Sequence, residues 1–198
     1  MHLNSQVWKY DGISRGLFLA GMVLSGCVSF TDTQHLIAED WRYATDPHGS
    51  RAVFEGGLVT NGQVDIGFLR VPRLDRANNS WVELIYDIPT RSLGGYESVT
   101  VTYQSDRALI IKLSQKDYGG QGDKSYAHYQ VTLPKADKKT THTVMLSDFS
   151  RPDWTPKWST GKGMIKAHIN ALYFVPSLTD KDGGKALLSI SALTLNKK

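Results

Sequence analysis

Residues 99–113 read Val99-Thr100-Val101-Thr102-Tyr103-Gln104-Ser105-Asp106-Arg107-Ala108-Leu109-Ile110-Ile111-Lys112-Leu113. Apolar side chains fall on every second position as far as Tyr103. A short polar turn follows, and a second alternating run starts at Leu109. Period-two alternation sends successive side chains to opposite faces of a pleated strand, one buried and one in water. A helix would need apolar positions three and four apart, and neither run supplies them.

The same pattern recurs on both sides of this stretch. Val64, Ile66 and Phe68 alternate with polar or smaller neighbours, as do Val82, Leu84, Tyr86 and Ile88, and then Tyr129, Val131 and Leu133. Further strands are predicted at 140–146, 168–175 and 185–195, with shorter ones near 35–42 and 51–60. Asn61-Gly62, Asn78-Asn79, Gly94-Gly95, Gly119-Gly120 and Asp182-Gly183-Gly184 punctuate them as turns. Eight to ten short strands at this spacing predict an all-β fold, a two-sheet antiparallel β-sandwich. Tyr86, Tyr103 and Tyr129 share the buried phase of their strands, and Trp41 and Trp81 are expected to pack at sheet edges.

The chain has 198 residues, 40% hydrophobic and 21% charged, which excludes a disordered chain or a long coiled coil. Its net charge of +4 is spread among interleaved acidic and basic residues, so no nucleic-acid partner is expected. The N-terminus divides from the rest. Lys9 and Arg15 precede an eight-residue apolar run, Leu17 to Leu24, far short of the roughly 20 residues that span a bilayer. Such a layout is that of an export signal. The run ends in Leu24-Ser25-Gly26-Cys27, with the only cysteine of the chain at its end. This resembles the lipobox of bacterial lipoproteins, which implies a signal peptide over 1–26 and lipidation at Cys27. Residues 27–35 would then be the lipidated cysteine and a short tether, and 36–198 the sandwich domain. With Val28 after the cysteine, the resemblance implies the outer membrane of a bacterial cell envelope.

Familiar reaction motifs are absent. Tyr118 to Ser125 lacks the glycine before Lys124 that a phosphate loop needs, and a strand follows it instead of a helix. Asp180-Lys-Asp182-Gly-Gly begins like a calcium loop but has Ser191 where the twelfth-position glutamate belongs. The histidines show no metal-ligand spacing, and no Gly-x-Ser-x-Gly elbow occurs.

The C-terminal half carries a resemblance. Leu146-Ser147-Asp148-Phe149 leads to Trp154 and Trp158, followed by Ile169-Asn-Ala-Leu172-Tyr-Phe174 and Leu187-Leu-Ser-Ile190-Ser-Ala-Leu193-Thr-Leu195. These segments resemble the closing strands of galactose-binding-like jelly rolls, the fold of many carbohydrate-binding modules. The resemblance implies a jelly roll that binds a polysaccharide or oligosaccharide without turning it over. No cofactor is expected; modules of this type commonly hold a structural Ca²⁺ between early and late loops, and no residue here matches such a site specifically.

Sugars offer C–H faces to aromatic rings and hydroxyls to polar side chains. Two regions present both. One is the polar side of segment 126–133 with Tyr126, His128 and Gln130, next to Lys112, with Asp117 and Tyr118 in the intervening loop. The other is the loop with Trp154 and Trp158. Two further readings stay open: an envelope scaffold that docks a protein partner, and a lyase using His128, Tyr126 and Lys112.

Overall fold

The computed structural model describes residues 36–75, 78–117, 128–161 and 163–198. The chain forms the two antiparallel sheets that the alternation predicts. In chain order the strands are β1 (Trp41–Thr45), β2 (Arg51–Val53), β3 (Val59–Thr60), β4 (Gln63–Arg70), β5 (Val82–Asp87) and β6 (Tyr96–Ser105). They continue as β7 (Leu109–Gln115), β8 (Gln130–Leu133), β9 (Ala136–Met145), β10 (Ile169–Pro176) and β11 (Gly184–Lys197). One sheet runs β1-β5-β10-β7-β8 and the other β2-β4-β11-β6-β9, with β3 paired to β4.

Local chemistry explains most boundaries. The strand predicted at 35–42 begins only at Trp41, because Ala38–Asp40 closes a single 3₁₀ turn in front of it. The 51–60 segment divides into β2 and β3. Asn61 and Gly62 take φ of 53° and 71°, which is the left-handed pair that a two-residue hairpin turn requires. Gly183, at φ +64°, lies so close to β4 that a Cβ would stand 2.3 Å from the Arg70 carbonyl. Only glycine fits that position.

The alternating positions meet between the sheets. Leu84, Tyr103, Leu109, Ile111, Leu113, Leu172, Phe174 and Ile190 are completely buried there. Trp41 lies tilted against Tyr86 and Phe174, with ring centroids 5.1 and 5.7 Å apart. Burial pushes the Tyr86 phenol up to about 12. Tyr129 is only half-buried and packs at the margin of this core. Trp81 stands just before β5 with 37% of its surface exposed, so Trp41 does the packing of that pair.

At one end of the sandwich an early loop meets a late one, where the resemblance implies a calcium ion. The oxygens there are already engaged. Arg70 donates to the Ser80 hydroxyl at 3.1 Å, to the Ser80 carbonyl at 2.5 Å and to the Leu178 carbonyl. The buried Asp46 carboxylate accepts from the His48 and Trp81 amides at 2.7 and 2.9 Å. Burial alone would raise the Asp46 carboxyl, but hydrogen bonds from Ser50, Trp81 and His48 hold it below the usual carboxylate range. A guanidinium supplies the positive charge that a cation would bring. No group of three or more His, Cys, Asp or Glu among the described residues is arranged to hold a metal. The oxygens described at this junction are therefore engaged within the protein, by Arg70 and by backbone amides.

Two outcomes follow from that arrangement. Thermal unfolding with a chelator should give the same midpoint as without one. Arg70→Leu should lose about 2–3 kcal/mol in denaturant unfolding, because it removes the donor to the Ser80 hydroxyl and to the Ser80 and Leu178 carbonyls.

Candidate functional site

The outer face of the five-stranded sheet takes the other phase of each strand. Cross-strand register places Arg42, Ile85, Tyr173, Lys112 and Gln130 in one row across β1, β5, β10, β7 and β8. Beside it lie Asp87, Ala171 and Ser114, and on the other side Glu83, Val175 and Ile110. Ile85 is 2% exposed although it stands outside the core between the sheets. Its burial comes from the longer side chains that flank it on this face.

The charges of the face are matched. Arg42 grips Asp87 through two nitrogens, at 2.6 and 3.2 Å. Lys112 reaches Glu83 at 3.2 Å. The Ser114 hydroxyl meets the Tyr173 hydroxyl at 3.0 Å. His128 sets its ring edge-on to Tyr173, with centroids 5.7 Å apart and planes at 78°. Burial, then the charge of Lys112, push the His128 imidazole below its ordinary value; Glu83 and the Leu113 backbone oppose this more weakly. Its neutral form is therefore favoured.

The tryptophan loop is rooted at the edge of the same sheet. Gln130 and Ser150 exchange backbone hydrogen bonds at 2.8 and 3.0 Å, which extends the pairing beyond β8. Two consecutive turns follow, Pro152-Asp-Trp154-Thr155 and Pro156-Lys-Trp158-Ser159. Each is closed by an amide-to-proline-carbonyl bond of 2.9 Å. Each presents a tryptophan at its third position, 67% exposed at Trp154 and 60% at Trp158. Arg151 ties the ends of the loop together by donating to the Ser159 hydroxyl at 2.5 Å and its carbonyl at 3.3 Å. These indoles do not plug the end of the sandwich.

The structure thus brings together Lys112, Gln130 and His128 around Tyr173. Asp117 sits past the end of β7, held to His168 Nδ1 at 2.7 Å. Tyr118, Tyr126 and Cys27 lie outside the described residues. The sequence reading did not single out Tyr173, Arg42, Glu83 and Asp87. A signal for Tyr173 was present, since it stands out of phase between Leu172 and Phe174. Nothing local connects Arg42 to Asp87, 45 positions away.

A second concavity, of about 700 Å³, opens on the outer face of the six-stranded sheet. Val53 and Leu187 flank Gly67 at its floor, and Glu55, Asp65, Asp106 and Asp137 are among its walls. Phe54 is among its lining residues beside these aliphatic side chains.

No protein-family model and no curated protein matches the sequence. Solved structures do resemble the fold. A family 11 carbohydrate-binding module from Clostridium thermocellum, in complex with a β-1,3-1,4-mixed-linked tetrasaccharide, superposes with a TM-score of 0.56 at 13% identity. The match covers 80% of this chain and 89% of that one. The family 11 module of the cellulosomal cellulase Lic26A-Cel5E of the same organism gives 0.53 at 11% identity, covering 79% and 88%. At these identities the likeness establishes the architecture: this chain has the β-sandwich jelly-roll fold of carbohydrate-binding modules.

Proposed function

We propose that the outer face of the five-stranded sheet, with the tryptophan loop at its edge, binds a polysaccharide or oligosaccharide and does not transform it. The observation that carries this reading is the row Arg42–Ile85–Tyr173–Lys112–Gln130, which crosses all five strands. Each ion pair along it offers donors and acceptors side by side, which vicinal hydroxyls need. Tyr173 and the two exposed indoles supply surfaces for C–H faces. The architecture shared with modules of this kind supports the reading. Tyr118, Tyr126 and Asp117 stay in the proposed site on their sequence alone, as residues able to stack on or hydrogen-bond to a sugar. The Leu24-Ser25-Gly26-Cys27 motif supports a lipid anchor at Cys27, with several acyl chains holding the protein at the bacterial outer membrane. A tether of 28–35 reaches about 30 Å at most, so glycan would be captured close to that surface.

The second reading, an assembly protein that docks a partner, is favoured by one observation. Val53 and Leu187 are 59% and 66% exposed at the floor of the concavity on the other sheet. Loss of a partner on Leu187→Ser, with glycan binding intact, would separate the two.

A glycan array with soluble residues 28–198 is expected to give specific binding. Tyr173→Ala and Trp154→Ala should each weaken it about tenfold, or about 1.4 kcal/mol. Affinity should change less than about twofold between low and high salt, because the two cations of the row among the described residues are each paired with a carboxylate. Binding unaffected by either substitution would remove the face from the site.

The neutral His128 sets the pH dependence. The folded chain resists protonation at a pH where the unfolded chain, near the usual 6.5, accepts it. Stability is therefore full above that value and falls as the pH drops below it. His128→Gln should flatten the decline in thermal midpoint between pH 7 and pH 5. A decline of the same slope in wild type and variant would refute this role.

A further inference from the structure

Both exposed indoles ride on the segment between Ser150 and Ile165, so its two roots decide where they stand. The outgoing root is the Ser150–Gln130 pairing. The returning root depends on a buried amide. Gln115 ends β7 in the same phase as Leu109, Ile111 and Leu113, and it is 1% exposed. Its Nε2 donates to the Gly163 carbonyl at 3.1 Å and to Asp117 Oδ2 at 3.0 Å. Its Oε1 accepts from the Ile165 amide at 2.8 Å. Asp117 in turn holds His168 Nδ1 at 2.7 Å, and the Lys116 amide donates to the His168 carbonyl at 3.1 Å.

An aliphatic side chain would fill this core position without the cost of desolvating an amide. What the amide adds is direction. A satisfied buried network rigidifies the elements it joins and is lost as a unit when one member goes. Here it joins the exit of β7 to the chain returning from the tryptophans.

We propose that Gln115 is a positioning residue for the binding face. Through Asp117 and His168 it latches the returning limb of the tryptophan loop to β7, so that Trp154 and Trp158 are ordered before a ligand arrives. Ordering in advance lowers the entropy cost of binding. The ligand in this statement rests on the glycan-binding reading; the latch does not.

The test is ¹⁵N relaxation of the indole Nε1–H groups in the full chain, assigned through Trp154→Phe and Trp158→Phe. The unaltered protein should show both indoles ordered. Gln115→Leu, of similar size but without donors or acceptor, should drop both order parameters below about 0.6. Amide protection in β5, β7 and β10 should persist, and affinity for a glycan found on the array should fall about tenfold. Gln115→Glu keeps the acceptor for Ile165 but opposes the Asp117 carboxylate, so it should loosen the indoles too. Adding Asp117→Asn should restore part of the order. If Gln115→Leu does not fold, this Glu and Asn pair decides the matter. Val101→Ala, a cavity in the other sheet, should lower stability and leave both indoles rigid. Indoles mobile in the unaltered protein, or unmoved in the Gln115 variants, would overturn the latch. Indoles that loosen as expected in a protein that binds no glycan would uphold the latch and discard the ligand.

Discussion

β10 sits at the centre of the five-stranded sheet, hydrogen-bonded on both edges and packed on both faces. Leu172 and Phe174 enter the core while Tyr173, between them, stands on the outer face. A slip of one residue would exchange those roles, placing a phenol in the core and two large apolar side chains in water. The irregularity between Ile169 and Ala171 sets the phase before that triplet begins. The row across the sheet inherits its alignment from this strand, since Tyr173 pairs with Ile85 on one side and Lys112 on the other.

The outer face combines rigidity with a polar character. Among the described residues, Arg42 and Lys112 are each held by a carboxylate on this face. The partly exposed pairs contribute little to stability, of the order of 1 kcal/mol or less. Their effect is geometric, because bidentate Arg42–Asp87 fixes two side chains that would otherwise sample many rotamers. Beneath them Ile85 and Ala171 are shielded from water without belonging to the core. The face is a thin second layer with its own packing.

Alternation made the sheets legible in the sequence. Val99, Val101 and Tyr103, or Leu109, Ile111 and Leu113, announce a buried side without reference to anything distant. The order of strands was not legible in the same way. β5 lies between β1 and β10 because of where long connections return, and no local pattern encodes that. The candidate site divides along the same line. Lys112, His128 and Gln130 were visible as outward positions on segments adjacent in sequence. Arg42 and Asp87 become partners only once β1 and β5 are paired. The pair of tryptophans was visible as composition, but their exposure depends on two turns that face away from the core. The Arg70 guanidinium was invisible for a related reason, since its acceptors Ser80 and Leu178 come from separate connections.

The repeat of Pro-x-Trp-Thr and Pro-x-Trp-Ser within eight residues has a consequence for how this loop can vary. Each turn closes on its own proline carbonyl, and the Arg151–Ser159 clasp encloses the pair from outside. The four-residue turn is therefore a natural unit of change. A four-residue turn added or removed here would change the aromatic surface by one tryptophan while the Ser150–Gln130 pairing and the sheet keep their own hydrogen bonds. Such a loop sets the reach of its surface by copy number, much as a ruler is lengthened by adding divisions of fixed size.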